Sequence, residues 1–134
     1  MDAFDADVLI YLAQSHPRTT GLRALIEGVP AGEFLGMGSV MLLPELMTWP
    51  VRHGADAEIA RLNHLLARLE LRPLDVPTAD LAVVLGAQYG LRAPDAVHLA
   101  TAVMAGADRF ITGNSKDFPR TVTEIDVVYP EDLG

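Results

Sequence analysis

Five short strand-like runs alternate with helix-patterned stretches along this chain. That alternation limits the possible folds more than any single motif does. The clearest helix spans Asp56 to Leu69, where Ile59, Leu62, Leu65, Leu66 and Leu69 form one apolar stripe and Glu58, Arg61 and Arg68 lie off it. The strand-like runs are Phe4-Asp5, Gly32 to Gly38, Leu71 to Val76, Arg109 to Thr112 and Ile125 to Tyr129. Between them the pattern predicts further helices. Asp7 reads as the N-cap of one over Val8, Leu9, Tyr11 and Leu12, with a continuous strand to Tyr11 as the competing reading. Thr19 or Thr20 caps another that Gly28 closes, and Ser39 caps an apolar one running through Leu42, Leu46 and Met47 toward Val51. Thr78 opens a helix that Gly90 ends, and Pro94 suits the first turn of a helix from Asp95 to about Ala105. Short apolar strands alternating with helices predict a mostly parallel sheet covered on both faces, an α/β/α three-layer sandwich. The length, 134 residues, fits a single domain over 1–134.

Half of the residues are hydrophobic and 21% are charged, which is globular rather than disordered composition. Asp plus Glu exceed Lys plus Arg by 18 to 10, a formal charge of -8, whereas a protein that coats nucleic acid is basic. Nine of the ten cations are Arg and the other is Lys116. The absence of Cys excludes disulfide frameworks, thiol catalysis and thiolate zinc sites. The acidic start Met1-Asp2-Ala3-Phe4-Asp5 is unlike a signal peptide, and the uncharged run Phe34 to Pro44 is too short to span a bilayer. A soluble cytoplasmic protein is the expectation.

In a parallel sheet, ligands bind beyond the carboxyl ends of the strands. The polar residues expected there are Asp5, Thr112, Asn114 and Asp117, joined by Glu45 and Asp95 at helix starts. Each acid alone has a plain explanation. Asp5 can be satisfied by backbone N–H groups of the next helix, Asp7 by its capping role, and Glu45 and Asp95 by a helix dipole or by solvent. His98 shares a helix face with Asp95, and a lone His there is more often structural than a ligand. The four His are too scattered for a zinc-helix spacing. Taken together, several carboxylates in one cleft repel one another, and a divalent cation is the usual resolution. Hard oxygen donors select Mg2+ or Mn2+, which serve phosphodiester hydrolysis.

Four segments carry a resemblance. Phe4-Asp5-Ala6-Asp7-Val8-Leu9-Ile10-Tyr11, Ser39 to Glu45, Arg92 to Ala102 and Asp108 to Phe118 resemble, in order and spacing, the four motifs of PIN-domain ribonucleases. Arg92 to Ala102, with Pro94-Asp95-Ala96-Val97-His98 at its centre, is the most specific of them. Size and motif wording are most similar to the toxin component of VapBC-type toxin–antitoxin pairs. The resemblance implies a PIN fold, Mg2+- or Mn2+-dependent endonucleolytic cleavage of RNA, homodimerisation and inhibition by a cognate antitoxin. It implies Asp5, Glu45 and Asp95 as the core metal-site acids and Asp117 as the fourth. Asn114 competes for that fourth place, Thr112 is a polar neighbour, and Asp7, where Asn is frequent, plays a supporting part. Pro44 directly before Glu45 departs from the pattern and could tilt the turn presenting that carboxylate.

Two other functions compete. A receiver-like signalling module also clusters acids at strand ends, and Asp75 follows a strand, but Lys116 stands in a loop. A catalytically inactive PIN-like binding module would act only through its partner. For an antitoxin groove the candidates are Tyr11, Leu12, Leu46 and Trp49, with core or dimer packing as the simpler reading for all but Trp49. RNA contact would depend on the metal, on dimer geometry and on a few arginines such as Arg52, Arg92 and Arg120.

Overall fold

The structure, a computed structural model, describes residues 1–133. Its five strands are β1 (Ala3–Phe4), β2 (Gly36–Ser39), β3 (Leu69–Arg72), β4 (Arg109–Ile111) and β5 (Asp126–Val128). Its six α-helices are α1 (Ala6–Ala13), α2 (Thr20–Glu27), α3 (Leu42–Arg52), α4 (Asp56–Leu66), α5 (Val76–Tyr89) and α6 (Ala93–Met104). The sheet is wholly parallel with the order β3-β2-β1-β4-β5. The expected α/β/α architecture is present.

The layers follow from the period of two along each strand. Ala3, Phe110 and Val127 point into one core together with Leu85, Leu99 and Phe118. Their neighbours Phe4, Ile111 and Val128 point into the other, with Leu9, Leu42 and Leu62. From β1 the chain winds outward through β2 to β3, with α1 to α4 on one face. It then crosses to β4 and β5, reversing direction, so right-handed crossovers place α5, α6 and the loop carrying Phe118 on the other face. The reversal falls between the adjacent strands β1 and β4. Such a switch point leaves a crevice at the carboxyl ends of the two strands.

Several element boundaries differ from the sequence expectation, among them the strand expected over Leu71 to Val76, which runs Leu69–Arg72. Asp5, not Asp7, caps α1: its backbone is extended and its Oδ1 accepts the Ala6 N–H at 2.8 Å. Ser39 ends β2, and its Oγ accepts the Met41 N–H at 3.0 Å, so α3 begins at Leu42 without a side-chain cap. Asp75 caps α5 by accepting the Thr78 N–H at 3.0 Å, which starts that helix at Val76. Leu69 opens β3 opposite Gly36 instead of closing α4. Leu69 is buried in either role, so apolar spacing alone does not separate them.

The central strands are tightly fitted. A Cβ on Gly36 would lie 2.5 Å from the Asp2 carbonyl oxygen and 2.5 Å from a Phe4 ring carbon. The carbonyl is rigid sheet backbone, so relief requires β1 and β2 to separate. Gly36→Ala is expected to destabilise the fold by about 2 kcal/mol, within the range for overpacking. Urea denaturation followed by circular dichroism reads this as a lower midpoint, and an unchanged midpoint would contradict the tight fit.

Candidate active site

The crevice is lined from β1 and β4 outward. Asp5 follows β1 directly and is buried at 4% exposure. Its Oδ1 is held by the Ala6 N–H and its Oδ2 accepts the Thr112 hydroxyl at 2.8 Å. Thr112 follows β4 and is fully buried. Its Oγ1 in turn accepts the Asn114 N–H at 3.0 Å. Asn114 and Asp117 are tied by two bonds: the Asn114 side-chain amide donates to Asp117 Oδ2 at 2.9 Å, and the Asp117 N–H donates to Asn114 Oδ1 at 3.1 Å. The two candidates for the fourth position are therefore partners within one turn.

On the other side of Asp5, His98 of α6 bonds Glu45 of α3 through Nε2 at 2.9 Å from Oε2. His98 is buried, and its Nδ1 has no partner among the described residues. The tautomer that leaves no buried N–H unpaired carries its proton on Nε2 and donates it to Glu45. The single His that composition arguments favour as structural thus orients one of the candidate acids. Pro44 sits in the first turn of α3, where no intrahelical N–H is required, and α3 continues through it; the Glu45 N–H reaches Met41 O at 3.2 Å. Asp95 lies in the first turn of α6, largely shielded, with the exposed Arg92 guanidinium 3.4 Å away.

The electrostatics link these groups. Loss of solvent, with a smaller contribution from the charge of Asp7, pushes the Asp5 carboxyl up to about 6. The nearby His98 and the bonds from Thr112 and Ala6 offset only part of this. Burial likewise raises Asp7, and Asp95 adds to the effect, while the Gly113 N–H and Arg18 oppose it. Asp95 thus acts on Asp7, Asp7 and His98 act on Asp5, and His98 bonds Glu45, which connects the five groups around the carboxyl end of β1. Among the described residues, no three Asp, Glu or His side chains converge closely enough to enclose an ion. The donor chemistry nevertheless fits a hard cation: the acids offer only oxygen, and Asp5 is buried with no Lys or Arg bonded to it.

Other features of the sequence fall elsewhere. Asp75 caps a helix and lines a separate cavity with Arg72, Thr78 and Thr101. Leu46 is core, and Leu12 is buried yet floors a groove with Arg23, His64 and Leu65. Trp49 is 58% exposed and stacks on His53 with ring centres 4.3 Å apart. Tyr11 packs against His16 and lies beneath the Arg18 guanidinium. Sequence reasoning overlooked Arg18, Gly113 and Glu131, which meet beside Asp7. Their separation along the chain left no spacing signal.

The PIN domain family model matches residues 3–123. The chain is 34% identical over 98 residues to "Ribonuclease VapC47" of Mycobacterium tuberculosis, covering 73% of this chain and 71% of that one. A toxin–antitoxin complex from Klebsiella pneumoniae contains a chain of similar structure, with a TM-score of 0.73, 27% identity and coverage of 97% of this chain and 98% of that one. The fold is also similar to a chain of DNA-bound VapBC from Salmonella typhimurium, with a TM-score of 0.76, 16% identity and coverage of 96% and 97%.

The raised Asp5 carboxyl carries a stability consequence. Its folded value lies above its unfolded value of 3.8, so the folded state binds more protons between about pH 4 and 6. This contribution falls as pH rises through that window, and above it the buried charge is fully unfavourable. Asp5→Asn is therefore expected to stabilise the metal-free protein by about 1–3 kcal/mol at pH about 7, with the gain vanishing near pH 4. Thermal denaturation of both proteins across pH checks this. A destabilised Asp5→Asn at neutral pH would contradict it.

Proposed function

The chain belongs to the PIN-domain family, and from that premise we propose that it is a Mg2+- or Mn2+-dependent endoribonuclease, the VapC-type toxin of a toxin–antitoxin pair. The observation that carries the reading is the buried Asp5 carboxylate at the switch point, beside Asp7 and His98 and linked through them to Asp95 and Glu45, without a bonded Lys or Arg. Asp5, Glu45 and Asp95 would hold the metal ion, one or two of them directly and the rest through waters that such an ion keeps, with Asp117 as the fourth acid. When bound, such an ion polarises a phosphodiester and offsets the charge that develops on it.

The remaining residues orient these acids. Thr112 fixes one oxygen of Asp5 and the Ala6 amide fixes the other, so the carboxylate cannot rotate. His98 engages Oε2 of Glu45 and leaves Oε1 for ligation. Asn114 holds Asp117 in its turn, which favours Asp117 as the acid and Asn114 as its support. The burial of Asp5 and Thr112 keeps bulk water from the inner part of the crevice.

The partner readings rest on two surfaces. Leu12, Ile26 and Leu65 floor a groove between α1, α2 and α4, rimmed by Arg23, Arg61 and Arg68, none of which forms an ion pair among the described residues. An antitoxin segment with apolar and acidic side chains suits it. On the opposite face, Ala79, Val83, Gly86 and Leu91 line a shallow apolar depression, and Val83 is 71% exposed. We assign that surface to homodimer contact, with the protein acting in the cytoplasm.

The receiver-like alternative is disfavoured by connectivity. Receiver sheets run 2-1-3-4-5, whereas this sheet runs 3-2-1-4-5, and Asp75 is a helix cap. Purified protein incubated with total RNA tests the nuclease reading. Cleavage is expected with Mg2+ or Mn2+ and is abolished by chelator. Asp5→Asn, Glu45→Gln and Asp95→Asn each lower the rate by about 100-fold or more, as expected for ligands of a catalytic ion. Undiminished cleavage by Asp5→Asn would overturn the reading, and absence of any cleavage would favour the inactive binding module.

A further inference from the structure

We propose that Asp7 and Arg18 form a clamp on the Gly113 peptide that sets the position of Thr112 and the Asn114–Asp117 turn, with Glu131 near the C-terminus holding the clamp closed. The inference rests on the nuclease reading for its effect on rate, and on geometry for the clamp itself. The Gly113 N–H donates to Asp7 Oδ1 at 3.1 Å. The Gly113 carbonyl accepts from Arg18 Nη2 at 3.1 Å. One residue is thus gripped at both its N–H and its C=O, by side chains from α1 and from the following 3-10 turn, Pro17–Thr19. It stands between Thr112, which bonds Asp5, and Asn114, which bonds Asp117.

Three side chains close tightly around this glycine. A Cβ at Gly113 would lie 2.8 Å from the Tyr11 ring, 2.9 Å from Asp7 Oδ2 and 3.1 Å from Arg18 Nη1. Arg18 is itself fixed: Nε and Nη2 donate to the two oxygens of Glu131 at 2.8 and 2.9 Å, and its guanidinium lies 5.2 Å from the Tyr11 ring centre. A fork with donors in fixed directions can serve the carboxylate and the carbonyl at once, whereas an ammonium cannot reproduce that arrangement. Asp7 is consequently a positioning residue, with one oxygen already committed to the Gly113 amide.

The test compares Arg18→Gln, Arg18→Lys, Glu131→Gln and the Arg18→Gln/Glu131→Gln double variant. Arg109→Gln serves as a control, because Arg109 pairs with both oxygens of Asp2 at 3.1 and 2.7 Å, away from the crevice. Both Arg18 variants are expected to lower kcat by about 10-fold or more with KM for RNA little changed, since misplaced groups lose rate before binding. Glu131→Gln loses less, and the double variant is no worse than Arg18→Gln because both act on one clamp. Arg109→Gln loses stability but keeps kcat. Amide hydrogen exchange at Gly113 and Asn114, which needs no activity, is expected to quicken by about 10-fold in both Arg18 variants. A folded Arg18→Lys protein with wild-type exchange at these amides would overturn the clamp, as would additive losses in the double variant. Wild-type protein that cleaves no RNA, with the quicker exchange still seen in the Arg18 variants, would overturn the nuclease reading and leave the clamp standing.

Discussion

A carboxylate withdrawn from water, with no lysine or arginine bonded to it, governs the carboxyl edge of this protein. Asp5 is placed there by topology, since it follows the central strand β1 where the winding of the sheet reverses. Its position gives it two neutral hydrogen bonds and no ion pair. Burial therefore outweighs those bonds and holds its carboxyl well above the ordinary value. Such a group is relieved by a proton or by a cation, and the neighbouring Asp7 makes the need stronger. The fold carries this unfavourable charge while the two cores on either side of the sheet supply stability.

The surrounding contacts serve to prevent the site from relaxing. Thr112 joins β4 to Asp5, His98 joins α6 to Glu45, and Asp7 joins α1 to the loop after β4. Each contact links two elements that are distant in sequence, so Asp5, Glu45 and Asp7 cannot turn toward solvent without breaking one of them. The charge of -8 is therefore less informative than its distribution. Five arginines, Arg18, Arg72, Arg92, Arg109 and Arg120, stand within ion-pair distance of acids. Arg23, Arg61 and Arg68 instead border the groove between α1, α2 and α4. Of the arginines considered for RNA contact, Arg120 is committed to Asp132, Arg92 lies 82% exposed beside Asp95, and Arg52 follows the exposed Trp49 and Val51 at the end of α3.

The sequence made the architecture legible because strand and helix periods differ and because Gly and Pro punctuate them. It revealed less about boundaries. Leu69 is apolar and buried whether it ends a helix or begins a strand, and Asp5 and Asp7 both have capping chemistry. Spacing could not choose between them, since the choice depends on pairing with β2 and on the Gly113 amide. The acids were readable as candidates from their places at strand and helix ends. Their mutual bonding was not, because Glu45 and His98 are 53 residues apart and Arg18 and Glu131 are 113 apart. The relation of Asn114 to Asp117 lies between these cases: both stood out, and only the turn geometry shows them as partners.

The central claim is that the buried Asp5 charge is matched by a divalent cation. Calorimetric titration with Mn2+ in buffers of different ionisation heat tests it most directly, because a ligand must shed its proton when a metal binds. With the Asp5 carboxyl at about 6, binding at pH about 5.5 should release roughly half a proton or more, and binding near pH 7.5 almost none. Saturable Mn2+ binding with no proton release at the lower pH, or no binding at either, would contradict the account.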